Sequence, residues 1–317
     1  AAMASAFEGD FAPPPAISTP HHMKGATTLY LERCLETVGT DIDFSGLKIV
    51  LDCAHGAAYE VGPAALRQLG ADVTIIGDTP DGLNINAGVG STATGLLKST
   101  VTETGADIGI AFDGDADRVI VIDELGEEVD GDQVMALIAG ELHRAGRLKG
   151  GGMVATIMSN MGLAEYLKGL DLTLARTKVG DRYVGEHMRQ HGFNLGGEQS
   201  GHIILSDVST TGDGLLAALQ VLKTLASSDR PASSIMRVFE PAPQELVNIP
   251  FNGSNPLESS GVGDALTQAD ELLGERGRMV VRKSGTEPLI RVMAEALDEE
   301  LMHRALSLVV AAVQAEA

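Results

Sequence analysis

Short apolar runs that each stop at a glycine- or aspartate-bearing turn, with a helix-length stretch between them, constrain this chain more than any other feature. LKIVLDCAHG, ADVTIIG and ADIGIAFDGD follow that rule in the first half. Between them lie GPAALRQLG, closed by Gly70, and TATGLLKSTVTETG, both of helical length and spacing. Strands that alternate with helices pair in parallel through crossovers, because no tight turn reaches a parallel neighbour. Sheets of this kind place their chemistry at the C-terminal ends of the strands.

The rule extends along the chain. An amphipathic helix is expected from Thr27 to Val38. A second unit opens near Asp130 with GDQVMALIAGELHRAG as a helix, and ends near Phe239. It continues through GGMVATIMS (strand), NMGLAEYLKGL (helix), LTLARTKVG (strand), DRYVGEHMRQHG (helix), the strand segment NLGGEQSGHIIL, and a long helix in TTGDGLLAALQVLKTLASS. The linker EPAPQE leads into a third unit with strands LVNIPF, MVVRKSG and LIRVMAEA and helices around DALTQADELLG and EELMHRALSLVVAAVQA. Residues 1–24, with Pro13, Pro14 and Pro15 and no periodicity, read as a loop or disordered leader that takes in His21 and His22. The divisions expected are therefore 1–24, 25–130, 131–240 and 241–317.

Charge narrows the partners. A net charge of −21 argues against nucleic acid and anionic membrane, which need a basic face. It leaves small phosphates open, since a few cations and backbone N–H groups hold those. Aromatics make up 3% and Trp is absent, so a base-stacking surface is not expected. Cys34 and Cys53 give no disulfide framework and no zinc spacing. With no membrane-length apolar run and no signal-peptide pattern, a reducing cytoplasm is the expected location.

Four clusters carry chemistry. In AFDGDADRVIVID, Asp113, Asp115 and Asp117 alternate and Arg118 follows at once. Three carboxylates around one point suit Mg²⁺ or Ca²⁺. An EF-hand loop opens the same way, and Glu124 falls at its twelfth position, but the intervening VIVID is a strand without ligands. In GGEQSGH, Glu198, Ser200 and His202 alternate, and an extended segment would put them on one face towards sugar hydroxyls; an ordinary polar loop is the competing reading. In VVRKSGTEPLIRV, Arg282, Ser284, Gly285, Thr286 and Arg291 surround a turn able to hold a phosphate, against the alternative of a charged hairpin. In TKVGDRYV, Lys178 and Arg182 flank Gly180 at a strand-to-helix turn that suits an anion, with Asp181 as the expected N-cap.

Together these motifs resemble the α-D-phosphohexomutase family. DGDADR at 113–118, GEQSGH at 197–202 and RKSGTEPLIRVM at 282–293 carry the resemblance. DCAHGAA at 52–58, NINAGVGST at 84–92, TIMSNMGL at 156–163 and KVGDRYV at 178–184 point to its branch acting on glucosamine phosphates. His55 departs from the family wording, which has asparagine there. The resemblance implies two consecutive mixed α/β three-layer domains, of the family's second- and third-domain type, followed by a small α+β C-terminal domain. It implies a mutase that shuttles a phosphoryl group between a serine and a phosphosugar substrate through a bisphosphate. By that likeness Asp113, Asp115 and Asp117 bind Mg²⁺, and Arg118, Lys178 and His202 act in catalysis. Glu198 and Ser200 bind the sugar, and Arg282, Ser284, Gly285, Thr286 and Arg291 grip the non-reacting phosphate. Glucose- or glucosamine-1,6-bisphosphate would be the activator. The family's phosphoserine loop has no counterpart in this sequence. A fragment, half of a split enzyme whose partner chain carries that domain, or a non-catalytic sugar-phosphate-binding protein are the expectations that follow, with homo-oligomerisation as a further one. Phosphoglucomutase or phosphomannomutase activity is the alternative chemistry.

Overall fold

The computed structural model describes residues 23–252, 255–284 and 287–317; the leader up to residue 22, and Gly285 and Thr286 of the third cluster, lie outside them. The first unit pairs its strands in the order β2-β1-β3-β4-β5, with β1 (Lys48–Asp52), β2 (Asp72–Ile76), β3 (Ile108–Phe112), β4 (Val119–Asp123) and β5 (Glu128–Val129). The expected parallel pairing holds for β1 with β2 and β3. β4 and β5 run antiparallel instead. The cause is local: only residues 113–118 separate β3 from β4, too few for a crossover.

Side chains alternate across this sheet. Ile49, Leu51, Ile110 and Phe112 enter one core with α1 (Ala26–Val38) and α2 (Val61–Gln68). Val50, Ala111, Ile120 and Ile122 pack instead with Leu97 and Val101 of α3 (Gly95–Thr104). Helices on both faces make the three layers expected.

The second unit has the order β7-β6-β8-β9, with β6 (Gly152–Thr156), β7 (Thr173–Thr177), β8 (Leu195–Gly197) and β9 (Ile203–Leu205). β6 is parallel to β7 and β8, and β9 is antiparallel to β8. Its helices are α4 (Gly131–Arg144), α5 (Met161–Gly169), α6 (Asp181–His191), α7 (Gly214–Ala226) and α8 (Ala232–Met236). Helix α4 starts on Asp130, whose side chain accepts from the Gln133 N–H as an N-cap.

Helix α7 explains why the two units share one core. Its sequence GLLAALQVLKTLA carries one charge, and residues Leu215–Leu219 are all buried. Its polar residues Gln220, Lys223 and Thr224 share one half-buried stripe, and the rest of its surface is apolar and needs burial. It finds this between β3 and β4 of the first sheet and β9 of the second. Each fully buried leucine there contributes roughly 2 kcal/mol. Tyr30 of α1 donates its hydroxyl to Asp213, the α7 N-cap, at 2.8 Å, joining α1 to the start of the same helix.

The third unit is an antiparallel sheet, β10-β12-β11, of β10 (Gln244–Pro250), β11 (Gly277–Lys283) and β12 (Leu289–Ala296). α9 (Ser260–Leu273) and α10 (Glu299–Glu316) complete the expected α+β fold around their own core, which takes Ile290, Val292, Ala294 and Ala296 of β12. Alternation turns Arg291, Met293 and Glu295 to the other face. Glu295 is fully buried there and paired with Arg278.

That pair docks the third unit on the second. Glu295 accepts from the Met161 N–H at 3.1 Å, and Arg278 Nη2 donates to the Ser159 carbonyl at 2.6 Å. Asn160 exchanges two hydrogen bonds with the Ala242 backbone, and its own N–H donates to Asp132 Oδ2 at 2.8 Å. Burial, reinforced by the charge of Asp130, pushes the Asp132 carboxyl up to about 7, against the hydrogen bond from the Asn160 N–H and the charge of Arg176. Burial, with Arg278 nearby, brings Arg176 down to about 10.

A carboxyl whose folded pKa exceeds its unfolded value of ~3.9 holds its proton longer in the folded state. Its contribution to stability therefore declines as pH rises from about 4 to about 7. Asp132→Asn keeps an oxygen for the Asn160 N–H and removes that decline. The melting-temperature difference, variant minus wild type, should become more positive between pH 5 and pH 8. A difference that does not change with pH would count against a buried, proton-holding Asp132.

Candidate active site

The acidic loop lies at the C-terminal end of β3, where a parallel strand meets its antiparallel neighbour. Ala116 occupies the left-handed region at φ 60° and turns the chain back. The Ala116 N–H donates to Asp113 O at 3.1 Å, and the Arg118 N–H to Asp113 Oδ1 at 3.1 Å. The loop is held from three sides by backbone bonds. Ala57 N–H reaches Gly114 O at 2.8 Å, Gly214 N–H reaches Ala116 O at 2.9 Å, and Val119 N–H reaches Gly201 O at 3.1 Å. At Gly201, with φ 92°, a Cβ would stand 2.1 Å from Val119 O, so only glycine permits that approach.

One oxygen from each of Asp113, Asp115 and Asp117 lies within 4.8 Å of the others. Burial above all, with the charges of Asp117 and Asp115, raises the Asp113 carboxyl above its usual range despite the Arg118 backbone bond. Arg118 Nε stands 3.6 Å from Asp113 Oδ2 and 3.7 Å from Asp117 Oδ1, and makes no hydrogen bond to either among the described residues. Asp117 Oδ1 is buried and likewise without a hydrogen-bond partner. Three convergent carboxylates with an orphaned buried oxygen fit a hard divalent cation such as Mg²⁺.

GEQSGH is a hairpin turn between β8 and β9, which replaces the extended segment expected from its alternation. The three side chains consequently diverge. Glu198 Oε1 accepts from the Gly180 N–H at 3.0 Å, tying the hairpin to the turn that carries exposed Lys178. Ser200 is exposed at the tip. His202 is buried and faces the acidic loop, with Nδ1 3.2 Å from Asp117 Oδ2. Gly180, and not Asp181, is the N-cap of α6; Asp181 is the first helical residue, where its charge complements the dipole.

In the third unit Arg282 of β11 and Arg291 of β12 are register partners. Both are half-buried, and Arg291 Nε is a buried donor without a partner among the described residues. Arg291 Nη2 makes a loose 3.5 Å contact with Glu287. Ser284 is buried beside them, its N–H on Leu289 O at 2.8 Å. Directly opposed like charges destabilise a sheet, and an anion removes the conflict.

Sequence reasoning passed over Asp132, Arg176, Arg278 and Glu295, which join the second and third units. The available signal was a charge inside an apolar strand, as for Arg176 in LTLART and Glu295 in LIRVMAEA. A separate cavity of about 520 Å³, lined by Arg144, Arg147, Lys223 and Arg230, shares no residue with the clusters above. Two of its cations already have local partners, Arg144 with Glu141 and Arg230 with Ser234.

Residues 28–126 match the family description "Phosphoglucomutase/phosphomannomutase, alpha/beta/alpha domain II", residues 130–242 its domain III, and residues 246–312 its C-terminal domain. A phosphoglucosamine mutase of Hyphomonas neptunium is 70% identical over 316 residues, covering 100% of this chain and 70% of that protein. The phosphoglucosamine mutase of Phenylobacterium zucineum is 56% identical over 285 residues, 90% of this chain and 63% of its own length. The chain thus spans about two thirds of the length of these relatives. In fold, it resembles an Aspergillus fumigatus N-acetylphosphoglucosamine mutase solved with GlcNAc-6P and magnesium, with a TM-score of 0.69 and 23% identity over 90% of this chain and 70% of that one. No helix among the described residues is long and apolar enough to cross a membrane.

Arg282→Met tests the anion reading. Relief of the like-charge pair should stabilise the fold by about 0.2–1 kcal/mol. Loss of one charge-assisted contact should weaken inorganic phosphate binding by about tenfold. Calorimetry reads both, and unchanged phosphate affinity would point to a charged hairpin alone.

Proposed function

The chain belongs to the phosphoglucomutase/phosphomannomutase family, and we propose that its site serves the interconversion of glucosamine 6-phosphate and glucosamine 1-phosphate through a bisphosphate intermediate. The observation that carries this reading is the 70% identity to a phosphoglucosamine mutase across 316 residues, in a chain whose three aspartates gather within reach of one ion.

Each cluster has a task in that chemistry. Asp113, Asp115 and Asp117 hold Mg²⁺, which when bound neutralises charge on the phosphoryl group in transfer. Arg118 has a guanidinium uncommitted to any hydrogen bond from Nε among the described residues, and turns to the transferring phosphoryl oxygens. Lys178, exposed on the turn tied to Glu198, supplies a mobile positive charge beside the sugar. Glu198 and Ser200 accept and donate to sugar hydroxyls. Arg282, Ser284 and Arg291, with Gly285 and Thr286, grip the phosphate that is not reacting. A bisphosphorylated sugar that turns end for end presents either phosphate to either place, so two phosphate sites suffice for both directions. The phosphoryl donor in this scheme is a phosphoserine, and a 1,6-bisphosphate restores it when lost.

The test is turnover of glucosamine 6-phosphate with Mg²⁺ and a trace of glucosamine 1,6-bisphosphate. It is run on the chain as it stands and again with a phosphoserine-bearing domain supplied in trans. Turnover in at least one arm is expected, with kcat/KM above that for glucose 6-phosphate and mannose 6-phosphate by about tenfold or more. A higher value for either of those sugars would move the assignment to phosphoglucomutase or phosphomannomutase. No turnover in either arm, with phosphosugar binding intact, would leave a binding protein.

A further inference from the structure

The cavity of about 520 Å³ lies at the C-terminal ends of α4 and α7, away from the acidic loop. Lys223, which lines it, stands ~14 Å along α7 from Gly214. Arg144, Arg147, Lys223 and Arg230 face the cavity, with Glu141 as the one acid in its wall. Helix C-termini attract cations, and each carries about half a negative charge. Two such ends offset one of the three positive charges left after Glu141, and about two remain. Two of the cations have partners: Arg144 donates to Glu141 at 2.7 Å, and Arg230 to the Ser234 carbonyl at 2.7 Å. Lys223 and Arg147 have no ion pair and no side-chain hydrogen bond among the described residues. Asp207, which feels the charge of Arg147, is already held by Lys149 at 2.6 Å and Asn194 at 2.9 Å. Lys223 is half-buried and is the one charge of α7. An ammonium partly out of water without a counter-charge is unfavourable, and an anion relieves it.

We infer that this cavity is a separate binding site for a small organic molecule bearing a diphosphate. Lys223 and Arg147 take its phosphate oxygens as charge-assisted donors. Ser228 adds a hydroxyl: its Oγ accepts from the Arg230 N–H at 3.1 Å, which leaves the hydroxyl proton to donate. Two uncommitted cations match two phosphates better than one. The volume falls within the range of small-molecule sites, about 300–1,000 Å³, and exceeds what phosphates alone require. Ile138, Leu142 and Ile235 supply an apolar wall for the organic part. The negative charge of the whole chain does not cancel the site, because exposed charges beyond ~8 Å are largely screened at physiological salt. None of these residues belongs to the acidic loop, the GEQSGH hairpin or the third-unit arginines, so the site stands whatever reaction those serve.

Pyrophosphate is the probe, titrated by calorimetry into the full chain at about 0.15 M salt without divalent cations. The titrations use the Arg282→Met background, which weakens the phosphate grip of the third unit. Pyrophosphate is expected to bind there, and inorganic phosphate about tenfold more weakly. Adding Lys223→Met or Arg147→Met should weaken pyrophosphate by about tenfold each. Glu141→Gln removes the one acid and frees Arg144, and should tighten binding by about threefold. Lys168→Met is the control: it removes an exposed, loosely paired cation of α5 and should change nothing. An equal loss with Lys168→Met would reduce the effect to general charge and overturn the site. No pyrophosphate binding, or affinity unmoved by Lys223→Met and Arg147→Met, overturns it as well. Inorganic phosphate binding as tightly as pyrophosphate would overturn the diphosphate assignment. Arg147 is exposed beyond the end of α4, so its variant keeps the fold and decides the matter should Lys223→Met fold poorly.

Discussion

The site depends on where one helix is buried. Apart from the stripe of Gln220, Lys223 and Thr224, α7 is apolar, so it is stable only with apolar surface on its remaining sides, and the two sheets provide that. Its first residues then fix the chemistry. The Gly214 N–H binds Ala116 O in the acidic loop, and the Asp213 N–H binds Ile203 O at the start of β9. One helix terminus thereby hangs the cation loop of the first unit and the hairpin of the second side by side. Asp213 has a triple role here: it caps the helix, accepts Tyr30 from α1, and carries the backbone N–H that holds β9.

Much of this fold was legible because the strand runs are short, apolar and closed by turns. The parallel core β2-β1-β3 follows from that pattern. What escaped was direction. VIVID is as apolar as any parallel strand, since it too is covered on both faces, and its composition carries no sign of being antiparallel. The sign lay in loop length: six residues between Phe112 and Val119 cannot make a crossover. At GEQSGH it is alternation that misleads. Alternation of polar residues suggests an extended strand, yet the glycines on either side let the chain turn, and the three side chains separate.

The clusters were legible in proportion to how local they are. Three aspartates two residues apart can meet only around a common point, so their chemistry shows in the sequence. Contacts assembled across the chain do not show. Nothing in the GEQSGH wording tells that the histidine faces Asp117 or that the Gly212 N–H meets its ring, because both partners come from other segments. His55 is a converse case. Its substitution for the family's asparagine looks arbitrary until the backbone is seen at φ 49°, where asparagine is favoured among non-glycine residues. The histidine there keeps a local function, since its Nδ1 accepts from the Thr79 N–H at 3.2 Å.

The two ends of the site share an energetic logic. The acidic loop collects three negative charges in a chain already at −21, and β11 and β12 set Arg282 opposite Arg291. Neither arrangement favours folding, and each is relieved by a ligand of the opposite sign. The strain is tolerated because other contacts hold the backbone in place. Backbone bonds from Ala57, Gly214 and Gly201 hold the acidic loop whatever its charge. The buried Arg278–Glu295 pair anchors the third sheet four residues along the strands from the arginines, a distance of ~13 Å. Anchoring at one end and like-charge conflict at the other lets the guanidinium end respond to an anion without loosening the docked end. A cation at the one and a phosphate at the other would therefore each stabilise the fold, and a bisphosphorylated sugar bridging the two would couple them.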